Sequence, residues 1–162
     1  WRGGFGFGTG DIPDADTVDS ATFSLVVFSK ATCLDSTNVE ITSFAPTDGA
    51  NLVIADYALT LYGSTLFATG RDIAGITTST TVYTDWTFVA AGLTGISKTA
   101  NTYFGVRLKW EIDDSFTGTD VDGASTGILV LYADEIGTST DPKLVVEHSA
   151  AAADTPILIE EQ

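Results

Sequence analysis

The chain contains no methionine, one cysteine, one histidine and only seven lysines and arginines. Each shortage removes a class of explanation. The single thiol, Cys33, forms no internal disulfide, so the fold rests on its core and cysteine usage leaves the redox compartment open. Cys33 reads as a buried or idle thiol. The lone imidazole, His148, has no second histidine to share a metal with, and Cys33 lies far away in sequence, so a zinc site lacks its ligand set. Seven basic residues against 22 acidic ones give a net charge of -15, which repels phosphate backbones and anionic headgroups. Neither nucleic acid nor an acidic membrane is an expected partner. No run approaches 18 apolar residues, and no basic segment leads into an apolar one as in a secretory signal. A chain that opens on Trp1 without any methionine reads as a processed product or a piece of a longer polypeptide.

What is present describes a folded protein. Of the 162 residues 44% are hydrophobic, 17 are aromatic and 18% are charged, the composition of a globular domain with room for a core. One domain is expected over 1–148, followed by an Ala-rich spacer and apolar tail over 149–162. Sixteen of the acids are Asp, a turn residue, so the negative charge falls mainly in loops.

Strand signals recur along the chain. WRGGFGFGTG alternates Gly with Phe5 and Phe7 and reads as a short strand and turn. Its glycines do not fit a dinucleotide fingerprint, and Asp11, Asp14 and Asp16 would repel a phosphate. In ATFSLVVFSK, Phe23, Leu25 and Val27 share one face, with Val26 and Phe28 on the other, the pattern of a central strand. TNVEITSFAP places Val39 and Ile41 on one side and Asn38, Glu40 and Thr42 on a side expected to be wet. The spacing over 54–59 suggests a short helical turn or irregular crossover, 70–72 a loop, Tyr83–Val89 a strand, and 90–96 a packed turn. YFGVRLKWEID carries the clearest period of two, with Phe104, Val106, Leu108, Trp110 and Ile112 facing inward and Arg107 and Lys109 outward. ILVLYA reads as a central buried strand and KLVVEH as the last one. About eight short strands without a long helix predict an all-β chain, a single antiparallel β-sandwich of jelly-roll-like or immunoglobulin-like form.

These segments also carry a resemblance. Ile12-Pro13, Ala15, Val18, Ala21, Phe23 and Leu25, with Asp141, Pro142, Leu144 and Val146 near the end, resemble the opening and closing strands of DNRLRE-type and related disaggregatase-like β-sandwich domains. The similarity runs nearly to His148. It implies a non-catalytic module of secreted or cell-wall-associated surface proteins, or of phage-like virion structural proteins, and brings no catalytic residues with it.

Gly123 to Gly127 spell G-x-S-x-G around Ser125, but a polar loop precedes and a strand follows, the wrong context for a nucleophile elbow, and the only imidazole is His148. The pairs Glu111 with Asp113 and Asp134 with Glu135 suit a glycosidase in principle, yet 22 acids produce such pairs by composition alone. The stronger candidate is calcium. Asp113, Asp114, Asp120 and Asp122 gather hard oxygen ligands in one Gly-containing loop, with Asp11, Asp14 and Asp16 as a second cluster, although neither matches an EF-hand. Exposed aromatics for stacking on sugar rings would come from Trp1, Tyr57, Tyr62 and Tyr83, with Trp86 and Trp110 assigned to the core.

The expectation is therefore a non-enzymatic subunit of an extracellular or virion surface, whose partners are other protein subunits or copies of itself. Phe5 and Phe7 at one end and Ile157, Leu158 and Ile159 at the other are the candidate joining residues. A carbohydrate-binding module that takes glycans is the alternative.

Overall fold

The computed structural model describes residues 2–30, 37–49, 53–115 and 140–151 in full and the backbone of 128–130. Among the described residues nine strands fall into two antiparallel sheets. The first contains β1 (Arg2–Gly8), β7 (Asn101–Leu108), β3 (Asn38–Phe44) and β4 (Tyr62–Leu66), in that order, with the two-residue β5 (Arg71–Asp72) also paired to β3. The second is built on β2 (Thr17–Lys30), which pairs with β6 (Tyr83–Thr87), β8 (Ile128–Val130) and β9 (Lys143–Ser149). Together they form a β-sandwich-like fold with only short helical turns. These are 3-10 turns at Ile54–Tyr57, Leu59–Leu61 and Ile73–Gly75, then α1 (Ala90–Thr94) and α2 (Lys109–Ile112).

The core follows from period-two patterning. Ala21, Phe23, Leu25 and Val27 of β2 meet Val39 and Ile41 of β3, Phe104 and Val106 of β7 and Trp86 of β6, all buried. Phe23 packs edge-on to Phe104 at 4.7 Å and lies 6.0 Å from the Trp86 ring, the tilted arrangements favoured by aromatic quadrupoles. The indole N–H donates to the Val39 carbonyl at 3.2 Å, which joins the two sheets through a buried hydrogen bond. Phe67, Ile73, Ile76, Phe88 and Ile96 fill in from the connections.

One lateral side of the sandwich is closed by backbone. Phe67 N donates to Ile41 O of the first sheet, while Thr69 N donates to Thr87 O and Val89 N to Phe67 O, and Ala68 bridges Phe88. The segment after β4 thus ties β3 to β6. The opposite side ends in β1 and β9, each paired on one edge only among the described residues.

Four expectations need correction. The period-two run from Tyr103 stops at Leu108, because Lys109–Ile112 coils into a helical turn held by Asp113 N to Lys109 O and by a Lys109–Asp113 ion pair at 2.7 Å. Trp110 is consequently only partly buried instead of filling the core. Glu40, Thr42 and Arg107 lie on the predicted outer face but are buried. Arg71–Asp72 forms a two-residue strand where a loop was expected, and Tyr62–Leu66 is a strand that the pattern did not single out. Of ILVLYA, Ile128–Val130 pairs with the last residues of β2, and 131–133 lie outside the described residues.

Candidate functional site

The carboxylates proposed for calcium are not brought together by what the structure describes. Asp113 follows α2, and its Oδ2 accepts from Lys109 Nζ at 2.7 Å, which lifts the Lys109 ammonium above its ordinary pKa, chiefly through that hydrogen bond. Asp114 takes a left-handed backbone with φ of 49°, as Asp tolerates at a turn. Asp120 and Asp122 lie outside the described residues. In the second cluster, Asp16 Oδ2 meets His148 Nδ1 at 2.7 Å, and Lys98 Nζ donates to the carbonyls of Asp14 and Asp16. That cluster is occupied in fastening the first turn to β9 and to the loop before β7. Among the described residues no three His, Cys, Asp or Glu side chains are grouped to hold a metal.

The catalytic patterns fare similarly. Ser125 and its glycines, and the pair Asp134 and Glu135, lie outside the described residues. Glu111 is held by Arg2 at 2.6 Å and faces Arg107 at 3.6 Å, the environment of an ion-pair anchor. His148 is exposed and paired with Asp16.

The outer face of the first sheet holds a polar cluster that alternation did not reveal. Arg107, 3% exposed, donates to the carbonyls of Gly63 at 3.0 Å and of Tyr62 and Glu111 at 3.4 Å. Glu40, 2% exposed, stands opposite Arg107 in the β3–β7 ladder, and its Oε2 has no protein partner. α2 and the start of β4 close over Arg107, and Gly70 stands directly against the Glu40 carboxylate. A charged residue on an alternating strand signals a wet face, and nothing local in the sequence announces the cover.

Of the aromatic platforms, Tyr62 is buried and stacked on Phe44 at 4.6 Å, so it is unavailable. Burial raises its phenol pKa. Tyr83 is partly covered, its hydroxyl donating to Asp141 O and its ring lying under Lys143 Nζ at 3.9 Å. Tyr57 is 64% exposed on its 3-10 turn, and Trp1 lies outside the described residues. An open polar groove of about 430 Å³ runs past Thr69, Arg71, Asp72, Asp85 and Thr87, with no aromatic in its lining.

Of the candidate joining residues, Phe5 and Phe7 lie on the side of the sandwich opposite the backbone closure. Phe5 and Phe7 of β1 point inward, 5.0 and 6.0 Å from the Phe23 ring, and Phe7 stacks on Phe104 at 5.5 Å. They are nevertheless only partly buried, as are Leu144 and Val146 of β9 and Val18 of β2. Ile157, Leu158 and Ile159 lie outside the described residues. Among the described residues the structure thus assembles a partly covered apolar seam between two strands, β1 and β9, that are paired on one edge each. Comparison of the chain with protein-family models, with curated proteins and with solved structures finds no match in any of the three.

Proposed function

We propose that this domain is a non-enzymatic structural or interaction module of an extracellular or virion surface, an appendage, fibre or decoration-type subunit that assembles through its termini or sheet edges. The observation that carries this reading is the closure of the sandwich on one side only among the described residues. One side is zipped by backbone hydrogen bonds, while β1 and β9 leave Phe5, Phe7, Leu144 and Val146 half covered on the other. The resemblance to DNRLRE-type domains of secreted surface and phage-like virion proteins supports the same class. Its net charge of -15 keeps copies apart at low ionic strength and would make association rise with salt.

Sedimentation across protein and salt concentration tests the reading. Self-association that strengthens with salt and is lost in Val145→Asp, an exposed β9 position, is the expected result. A chain that stays monomeric throughout would refute self-assembly.

A carbohydrate-binding role is favoured by one observation, the exposure of Tyr57 on a turn that Arg2 Nη1 fastens by donating to the Tyr57 carbonyl. Retardation in glycan-containing gels, abolished by Tyr57→Ala, would decide for it.

A further inference from the structure

The connection that zips one side of the sandwich also builds the groove beside it. Thr69 N donates to Thr87 O of β6, and Arg71 of β5 pairs with Val39 of β3, so backbone from both sheets runs along it. Gly75 joins the lining from the Ile73–Gly75 turn, which Lys30 Nζ holds by donating to the carbonyls of Ile73, Ala74 and Ile76 at 3.0, 2.7 and 2.6 Å. The volume of about 430 Å³ lies within the range of about 300–1,000 Å³ of small-ligand sites.

The charged side chains of the lining are each oriented by a second group. Arg71 Nε donates to the Asp85 carbonyl at 2.6 Å, which leaves the two Nη groups of its fork. Asp85 Oδ1 accepts from the Ser24 hydroxyl at 2.6 Å, and Asp72 Oδ1 accepts from Ala74 N at 2.8 Å. Each carboxylate is thus fixed through one oxygen and keeps the other. Ser24 is itself 2% exposed, a buried brace behind an exposed acid. Donors and acceptors set in advance lose little freedom when a ligand arrives.

Charge and shape narrow the ligand. Two carboxylates on a chain of net charge -15 repel an anion, while the Arg71 guanidinium repels a cation. No ring lines the groove to stack on a flat base. A hydroxyl group suits both kinds of partner, since it donates to Asp72 or Asp85 and accepts from Arg71. An open groove also admits the middle of a chain as well as its end.

We infer that this groove binds a segment of a neutral polysaccharide through its hydroxyl groups, with Arg71, Asp72 and Asp85 as the principal contacts. The inference rests on the carbohydrate-binding reading above and gives it a site whose lining does not include Tyr57.

Affinity electrophoresis of the full chain in gels containing mannan, laminarin or dextran tests this, with polygalacturonate as the anionic comparison. Gly75→Leu fills the groove from a position where an added carbon meets nothing within 4 Å, and Ala74→Leu, on the same turn but outside the lining, is the control. Asp85→Asn and Arg71→Lys remove a charged acceptor and the guanidinium fork without removing bulk. Retardation by at least one neutral polymer is expected, weakened about tenfold or more in Gly75→Leu, Asp85→Asn and Arg71→Lys and unchanged in Ala74→Leu. Urea midpoints of the two leucine variants should match. Retardation that persists in all three groove variants, or that only Tyr57→Ala removes, would overturn the groove and leave the carbohydrate reading standing. Retardation by polygalacturonate alone would overturn the neutral class. No retardation by any polymer would overturn both the inference and the reading it rests on.

Discussion

The ring of Phe44 lies against Gly4, two strands away, so closely that a methyl group on Gly4 would fall 2.6 Å from Phe44 Cε1. The same relation holds between Tyr62 and Gly105, where the added carbon would lie 2.5 Å from the Tyr62 ring. Glycines on β1 and β7 thus make a flat bed on the outer face of the sheet. Phe44 and Tyr62 lie on it, stacked at 4.6 Å, and together bury a face that strand alternation alone would leave wet.

Gly4→Ala therefore should destabilise the protein, since the phenyl ring must shift off its stack. Overpacking of this kind costs about 1–3 kcal/mol. Gly3→Ala is the control, because its added carbon would meet only Phe5 at an ordinary 3.5 Å. Urea unfolding of both variants, followed by tryptophan fluorescence, checks the difference. Equal midpoints would show that the Phe44 ring is free to move.

The fold was legible in the sequence wherever burial is one-sided. Phe23, Leu25 and Val27, or Phe104 and Val106, sit at period two and reach the core as that period demands. The rule broke where cover comes from distant segments. Glu40 and Arg107 obey alternation in direction but not in exposure, because β4 and α2 close over Arg107 and Gly70 stands against Glu40. At Lys109 the period continued on paper through Trp110 and Ile112, while an i,i+4 ion pair and a left-handed Asp114 turned the chain into a helical turn. Of the candidate site, Phe5 and Phe7 were legible as apolar residues near an end. Their place at an open edge was not, since it depends on which strands pair across more than ninety residues.

Asp56 gives a prediction in pH. Its Oδ1 accepts from the Thr47 hydroxyl at 2.6 Å and the Thr47 N–H at 2.7 Å, and its Oδ2 from Val53 N at 2.8 Å. These donors, the Thr47 hydroxyl first, hold its pKa below the ordinary 3.8. A lowered folded pKa means the unfolded chain takes up the proton first on acidification. The carboxylate's contribution is present above the ordinary value and lost as pH falls through the lower folded one. Asp56→Asn should therefore lower the melting temperature at neutral pH, with the gap from the parent narrowing below pH 3.8. A gap independent of pH would mean that the two oxygens act by shape and not by charge.

Arg107 and Arg2 both reach Glu111, but burial makes them unequal. Arg2 meets the carboxylate at 2.6 Å with its side chain 24% exposed, and its guanidinium also stands 5.8 Å over the Tyr62 ring. Arg107 is nearly sealed, opposite the buried Glu40, and supplies donors to the Tyr62 and Gly63 carbonyls that no water replaces. Removing one member of a buried charge group costs about 3–5 kcal/mol, because the remaining groups stay desolvated and uncompensated. The Arg2–Glu111 pair is only partly buried and lies between that figure and the about 0–1 kcal/mol of a fully exposed pair. Arg107→Leu, which keeps bulk, should therefore unfold at much lower denaturant than Arg2→Leu. Salt separates the two further: raising ionic strength should shrink the Arg2→Leu effect and leave that of Arg107→Leu nearly unchanged. If the two substitutions cost the same at every salt concentration, the cover over Arg107 is open to water in solution.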